Sequence, residues 1–259
     1  MKESRHPVVF VGAGPGQADL ITLRGAERLR AAEVVLFDSL ADPALREFAP
    51  DAKWIDVGKR GLRGVPHRPP ESGADNTGQA TINALLVKHA GEGRRVVRLK
   101  GGDPSVFGRL EEELEALARA GLGAEVVPGV SAALAAAAAT HRPLTRRGAG
   151  RSVSLATAMT HDTGLIAGRH GDTEVFYMAG KQLAALSRRL AEAGWPDAMA
   201  SELTVATIGQ ATVLHAGRPT VVTIGVGATA IAGAAAAAPL PRGARVHAAI
   251  AFAALKISG

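Results

Sequence analysis

The 259-residue chain contains no cysteine, which removes disulfides, thiolate metal sites, iron–sulfur clusters and cysteine nucleophiles from its chemistry. Aromatic residues make up only 3% of it, so a base-stacking surface has little to be built from, and no regular basic stripe compensates. The eight histidines show no metal-ligand spacing and no H-E-x-x-H occurs, so no metal is expected. The sequence has no G-x-S-x-G, which leaves a serine hydrolase of the elbow type without support. The segment before the first apolar run carries Lys2, Glu3, Arg5 and His6 and lacks the apolar stretch and cleavage site of a secretory signal. Residues 219–241 carry no charge and could cover about 30 Å of hydrocarbon. They consist mainly of Ala, Gly, Thr and Pro, which insert poorly. No membrane partner is expected, and the cytoplasm is the expected location.

Hydrophobic residues at 47% and charged residues at 21% are close to the averages of soluble globular proteins, and the length suits two compact domains. The formal net charge is +6 and the isoelectric point about 10.1, which calls for an anionic partner. Residues 1–129 hold 18 basic and 18 acidic side chains, residues 130–259 hold 12 and 6, so the whole excess lies in the second half. With stacking residues this scarce, a small polyanion fits at least as well as nucleic acid.

Short β-branched runs at residues 8–11, 34–37, 54–57, 96–99 and 125–127 alternate with amphipathic stretches at 19–31, 80–90 and 110–120, the order of a buried parallel sheet with crossover helices. The second half opens past Pro128-Gly129 with an alanine-rich helix. It continues with strand candidates at 153–157, 174–178, 202–206 and 220–224, fewer helices and an expected mixed sheet. The fold class is α/β, as two α/β domains: residues 1–129 with a parallel sheet, and 130–259 with a mixed sheet and residues 228–259 as an unassigned tail. Residues 58–78 form a long irregular stretch holding Lys59, Arg60, Arg63, His67 and Arg68, read as a charged lid. The run Glu111-Glu112-Glu113 with Glu115 opens a helix and reads as a solvated face.

Three glycine-bearing turns each follow an apolar strand. Val11-Gly12-Ala13-Gly14-Pro15-Gly16 lets backbone approach a ligand at a helix start. Asp38 follows where a dinucleotide-binding acid would sit, yet Gln17 stands in place of the third glycine of G-x-G-x-x-G, so a nicotinamide enzyme is a weak rival. Gly101-Gly102-Asp103-Pro104 forms an exposed turn in which Asp103 either accepts from a ligand or caps its own turn. Pro128-Gly129-Val130-Ser131 leads into a helix, with Ser131 a natural cap.

Taken together and in order, these turns, with Val57 to Arg60 (VGKR), Gln79 to Val87, Val96 to Arg109 (VVRLKGGDPSVFGR) and Thr173 to Met178 (TEVFYM), resemble the tetrapyrrole methyltransferase family over about residues 8–227. The resemblance implies two α/β domains with S-adenosyl-L-methionine in the cleft between them, usually in a homodimer. The members most similar methylate two ring carbons of uroporphyrinogen III, giving precorrin-2 on the route to sirohaem and cobalamin; a methyltransferase acting on a later corrin precursor is the alternative. Carried over by position, the cofactor falls to Pro15, the Gly101-Gly102-Asp103 turn and Val106, then to Ser131, Ala132, Met178, Ala206 and Thr207. The family's proton acceptor falls on Asp38 and its proton donor on Lys59. Arg60, Arg142, Arg146 and Arg147 are of the right type to hold the substrate's carboxylates. Ser105 stands where the family usually has an aromatic residue, and Leu110-Glu111 where it usually has two glycines.

Overall fold

The structure, a computed structural model, describes residues 6–38, 40–58, 77–159, 165, 167–195, 220–228 and 248–253. The chain divides into two compact units, Met1–Ser131 and Ala132–Gly259.

In the first unit β1 (Val8–Gly12), β2 (Val34–Phe37), β3 (Lys53–Asp56), β4 (Val96–Lys100) and β5 (Ala124–Val127) form an all-parallel sheet in the order β3-β2-β4-β1-β5. Central parallel strands are covered on both faces, which is why β1 is a run of apolar residues buried throughout rather than an alternating one. Successive side chains still point to opposite faces. Val8, Phe10, Leu36 and Val96 pack with Leu86 of α2 (Thr77–Gly91) and Leu117 of α3 (Leu110–Arg119), while Val9, Val11, Val35 and Leu99 pack with Leu29 of α1 (Leu23–Arg30).

The helix expected over 19–31 is divided: a 3-10 turn at Ala18–Leu20 precedes α1, whose start is set by Thr22, with its side-chain oxygen accepting the Gly25 amide at 3.1 Å. At Gly25 α1 packs closely on β1; a Cβ there would lie 3.0 Å from Val11 Cγ1. A further 3-10 turn at Pro43–Phe48, unanticipated from the sequence, is capped by Asp42, whose carboxylate accepts the Ala44 amide at 2.9 Å.

The second unit has a mixed sheet in the order β6-β7-β8-β9, built from β6 (Val153–Thr157), β7 (Thr173–Tyr177), β8 (Thr220–Gly225) and β9 (Ala248–Ala253). The β7–β8 pair is antiparallel and the other two pairs are parallel. β9 corrects the reading of residues 228–259 as an unassigned tail, since Thr220 to Gly225 pair in register with Ala248 to Ala253. Its alanine-rich sequence carries little strand preference of its own, and pairing with β8 decides its state. The strand expected at 202–206 lies outside the described residues. After α4 (Ala132–Thr140) comes α5 (Leu183–Glu192), missed in the sequence although Leu183, Leu186 and Leu190 have helical spacing. Those leucines and Trp195 form a core with Phe176, Val222 and Ile224. Among the described residues no helix is long and apolar enough to cross a membrane; residues 220–225 of the uncharged stretch are β8.

Candidate active site

In a parallel sheet all carboxyl ends lie at one edge, where open α/β sheets bind ligands. In the first unit the turns after β1, β4 and β5 meet there backbone to backbone. A Cβ built on Gly129 would lie 2.3 Å from Gly102 O and 2.7 Å from Gly12 Cα, so only glycine allows this approach. The turns are also bonded to each other: Ala13 N donates to Lys100 O at 2.7 Å, and Gly14 and Gly102 exchange amide bonds at 3.3 and 2.7 Å. Gly102 has φ of +69°, a conformation natural to glycine. A Cβ on Gly102 would make ordinary contact, 4.0 Å from Ser131 Cα and Val130 O. Pro15 is buried beside this junction and Ser131 is buried immediately before α4.

Asp103 performs the turn-capping role that the sequence left open, and adds a second. One carboxylate oxygen accepts the Ser105 amide at 2.8 Å and the Ser105 hydroxyl, and the other accepts the Gly129 amide at 2.9 Å. Partial burial pushes this carboxyl up, but the hydrogen bonds from the Ser105 hydroxyl, the Gly129 amide and the Ser105 amide together hold it below its usual range. Val106 is half-buried, its amide donating to Asp103 O at 3.3 Å. Asp38, at the end of β2, accepts the Leu40 amide at 3.0 Å and the Gly101 amide at 3.3 Å, which joins the β2 end to the β4 turn. Gly101 is closely covered by Leu40, whose Cβ would lie 2.7 Å from a Cβ at position 101.

Beneath this edge lies a charged cluster that the sequence reading missed. Glu113, expected on a solvated face, is fully buried; α3 turns it inward toward β4, whereas Glu111 and Glu115 are exposed. It accepts from Lys100 Nζ at 2.7 Å, Arg98 Nε at 3.1 Å and Gln79 Nε2 at 3.2 Å. Arg98 also donates to the Leu99 carbonyl at 3.0 Å. The available signal was Arg98 and Lys100 at alternate positions of a strand otherwise apolar: two cations on one buried face require an anion. Nearby, Arg109 pairs with Glu112 through two hydrogen bonds at the start of α3.

In the second unit Ala132 opens α4. Met178 is exposed, has φ of +57° and directly follows β7. The Tyr177 hydroxyl accepts the Ala133 amide at 3.4 Å. Arg142 is buried; desolvation first, and the neighbouring Arg146 charge second, push its guanidinium down. Arg146 is half-buried and pairs through its backbone with Gly150, and Arg147 is exposed. The expected residues Lys59, Arg60, Ala206 and Thr207 lie outside the described residues. Among the described residues no group of three or more His, Cys, Asp or Glu is placed to hold a metal ion.

The family described as Tetrapyrrole (Corrin/Porphyrin) Methylases matches residues 7–214. The chain is 43% identical over 210 residues to a uroporphyrinogen-III C-methyltransferase of Pseudomonas aeruginosa, covering 80% of each chain. It is 44% identical over 200 residues to a siroheme synthase of Edwardsiella ictaluri, covering 74% of this chain and only 41% of that longer protein. Among solved structures, a uroporphyrin-III C-methyltransferase of Thermus thermophilus superposes with a TM-score of 0.64 at 36% identity, covering 86% of this chain and 93% of the other. A Thermus thermophilus structure complexed with S-adenyl homocysteine gives 0.60 at 33% identity, covering 74% and 78%. With its parallel sheet, its glycine turns at the carboxyl edge and these likenesses, the chain belongs to the tetrapyrrole (corrin/porphyrin) methylase family.

Proposed function

We propose that the chain catalyses S-adenosyl-L-methionine-dependent C-methylation of uroporphyrinogen III, giving precorrin-2 by way of precorrin-1. The observation that carries this reading is the 43% identity to the Pseudomonas aeruginosa enzyme across 80% of both chains. The residues suit the cofactor. Glycine-dense turns bring peptide groups to the strand edge, and Gly102, where a Cβ would stand 4.0 Å from Val130 O and Ser131 Cα, leaves its backbone bare to a ligand. Pro15, Gly101, Gly102, Asp103, Val106, Ser131, Ala132, Met178, Ala206 and Thr207 would hold the cofactor.

The cofactor supplies a methyl group already activated on sulfonium, so the protein's contribution is orientation and exclusion of water rather than a strong nucleophile. When bound, the cofactor would give that methyl to a ring carbon and keep the bonding electron pair on its sulfur. Asp38 takes the proton that the methylated macrocycle then sheds, and Lys59 returns one elsewhere on the ring. Arg60, Arg142, Arg146 and Arg147 hold acetate and propionate groups of the substrate. The same reading makes the chain a cytoplasmic homodimer, for which sedimentation equilibrium should give twice the mass of one chain.

Mass spectrometry of uroporphyrinogen III incubated with the protein and S-adenosyl-L-methionine tests the reading. Products heavier by one and two methyl groups are expected; unaltered substrate, together with no S-adenosylhomocysteine binding in calorimetry, overturns it.

A further inference from the structure

Arg98 and Lys100 occupy the end of β4 nearest the ligand edge and meet Glu113 of α3 there, where the neighbouring positions of the same sheet face are Val8, Phe10, Leu36 and Val96. Burying such a group is rarely the most stable solution, since apolar residues of similar volume usually do as well or better. Two cations and one carboxylate also leave a net positive charge inside the unit. Their placement is what distinguishes them. Lys100 is the last residue of β4, and the next residue, Gly101, gives its amide to Asp38. Glu113 grips Lys100 Nζ at 2.7 Å and Arg98 Nε at 3.1 Å from the first turn of α3, so the strand end cannot shift without breaking bonds to a buried carboxylate.

We infer that Glu113, Lys100 and Arg98 form a positioning cluster for Asp38, fixing the peptide that orients its carboxylate. The inference rests on the reading of Asp38 as proton acceptor. It is supported by the balance of forces on Lys100: burial first, and the Arg98 charge second, push its ammonium below the ordinary value, while Glu113 and Asp38 pull it back. Loss of Glu113 would therefore remove the carboxylate that anchors Lys100 Nζ at 2.7 Å, and with it the hold on the strand end that leads into Gly101. Gln79, the third donor to Glu113, sits in the first turn of α2 and holds Asn83 at 2.9 Å, so the cluster also ties the two helix starts together beneath the edge.

The test compares Lys100→Met, which keeps the chain length and removes the charge, with Lys100→Arg, which keeps the charge. Lys100→Met is expected to lower kcat for uroporphyrinogen III methylation by about 10- to 100-fold, the scale of a misplaced catalytic group. Its KM and its S-adenosylhomocysteine affinity should stay within about twofold, and Lys100→Arg should recover most of kcat. Equal losses in the two variants, or cofactor affinity falling in parallel with kcat, would show a merely structural cluster and overturn the inference. Should Lys100→Met fail to fold, Glu113→Asp decides. It keeps the charge but withdraws the carboxylate by one methylene, so kcat should fall while S-adenosylhomocysteine affinity holds, and an unchanged kcat overturns the inference. Absence of turnover in the wild-type chain would overturn the functional reading itself, whereas turnover in the wild type with indifferent variants overturns the cluster's role alone.

Discussion

The Asp103 carboxylate accepts the Gly129 amide at 2.9 Å, and through that bond the turn after β4 holds the turn after β5. The same carboxylate caps its own turn through Ser105. Asp103→Asn replaces one accepting oxygen with a donor that faces an N–H or O–H. It should cost about 1–3 kcal/mol, as expected for a hydrogen-bonded group set against the wrong partner, and should weaken S-adenosylhomocysteine binding. Urea unfolding and calorimetry read the two effects, and a variant as stable and as tight-binding as the wild type would remove the clamp role.

The pH dependence of that clamp has a definite sign. The folded-state value of Asp103 is depressed, so its stabilisation is fully present above the unfolded carboxylate value of about 4. It is lost as pH falls through the lower folded value. The acid limb of a stability curve should therefore be shallower in Asp103→Asn than in the wild type, as measured by urea midpoints between neutral and strongly acid pH.

A methyl group at position 129 would meet backbone on both sides, Gly102 O at 2.3 Å and Gly12 Cα at 2.7 Å. No flexible side chain can give way there. Gly129→Ala should destabilise the first unit by about 1–3 kcal/mol, the usual cost of overpacking, and should reduce cofactor affinity by spreading the turns. Gly93→Ala is the contrasting control: a Cβ there meets nothing within 4 Å, although φ of +79° still strains the backbone. It should leave cofactor affinity unchanged.

Asp38→Asn keeps an acceptor for only one of the Leu40 and Gly101 amides, which Asp38 holds through different oxygens, and removes the basic carboxylate. Turnover should drop by about 10²-fold or more, in the range of general-base contributions, with S-adenosylhomocysteine affinity nearly intact. Steady-state kinetics beside calorimetry separate the two, and undiminished turnover would remove Asp38 from the mechanism.

Arg147 is exposed, so its contribution to holding a substrate carboxylate is that of a screened surface pair. Arg147→Ala should raise KM for uroporphyrinogen III by about two- to fivefold with little change in kcat. The dependence of KM on salt should weaken in parallel; a KM indifferent to both substitution and salt assigns Arg147 to solubility alone.

Much of the first unit was readable because its signals are local. A run such as Val8-Val9-Phe10-Val11 makes a buried strand wherever it is placed in a parallel sheet, and the start of α3 lies where Leu110 opens its amphipathic pattern. Asp38 and the three glycine turns were recognisable because each is a short stretch whose chemistry lies in adjacent residues. The second unit is less legible: α5 announces itself only through the spacing of its leucines, and β9 is hidden because alanine says little about strand or helix outside its context.

The sequence by itself determined the alternation of strands and helices, the cysteine-free chemistry, the basic second half and the ordered motifs that mark the family. Only the tertiary structure decided the strand order β3-β2-β4-β1-β5, the contact of Gly12 with Gly129, and the fate of Glu113. Within its own helix Glu113 is one of a row of acids that water would solvate. What buries it is the pair of cations on β4, a separate element whose face toward α3 is set by sheet register. Local patterns are written within a turn or two of chain, whereas the charge balance of a buried cluster depends on which elements the folded sheet brings together.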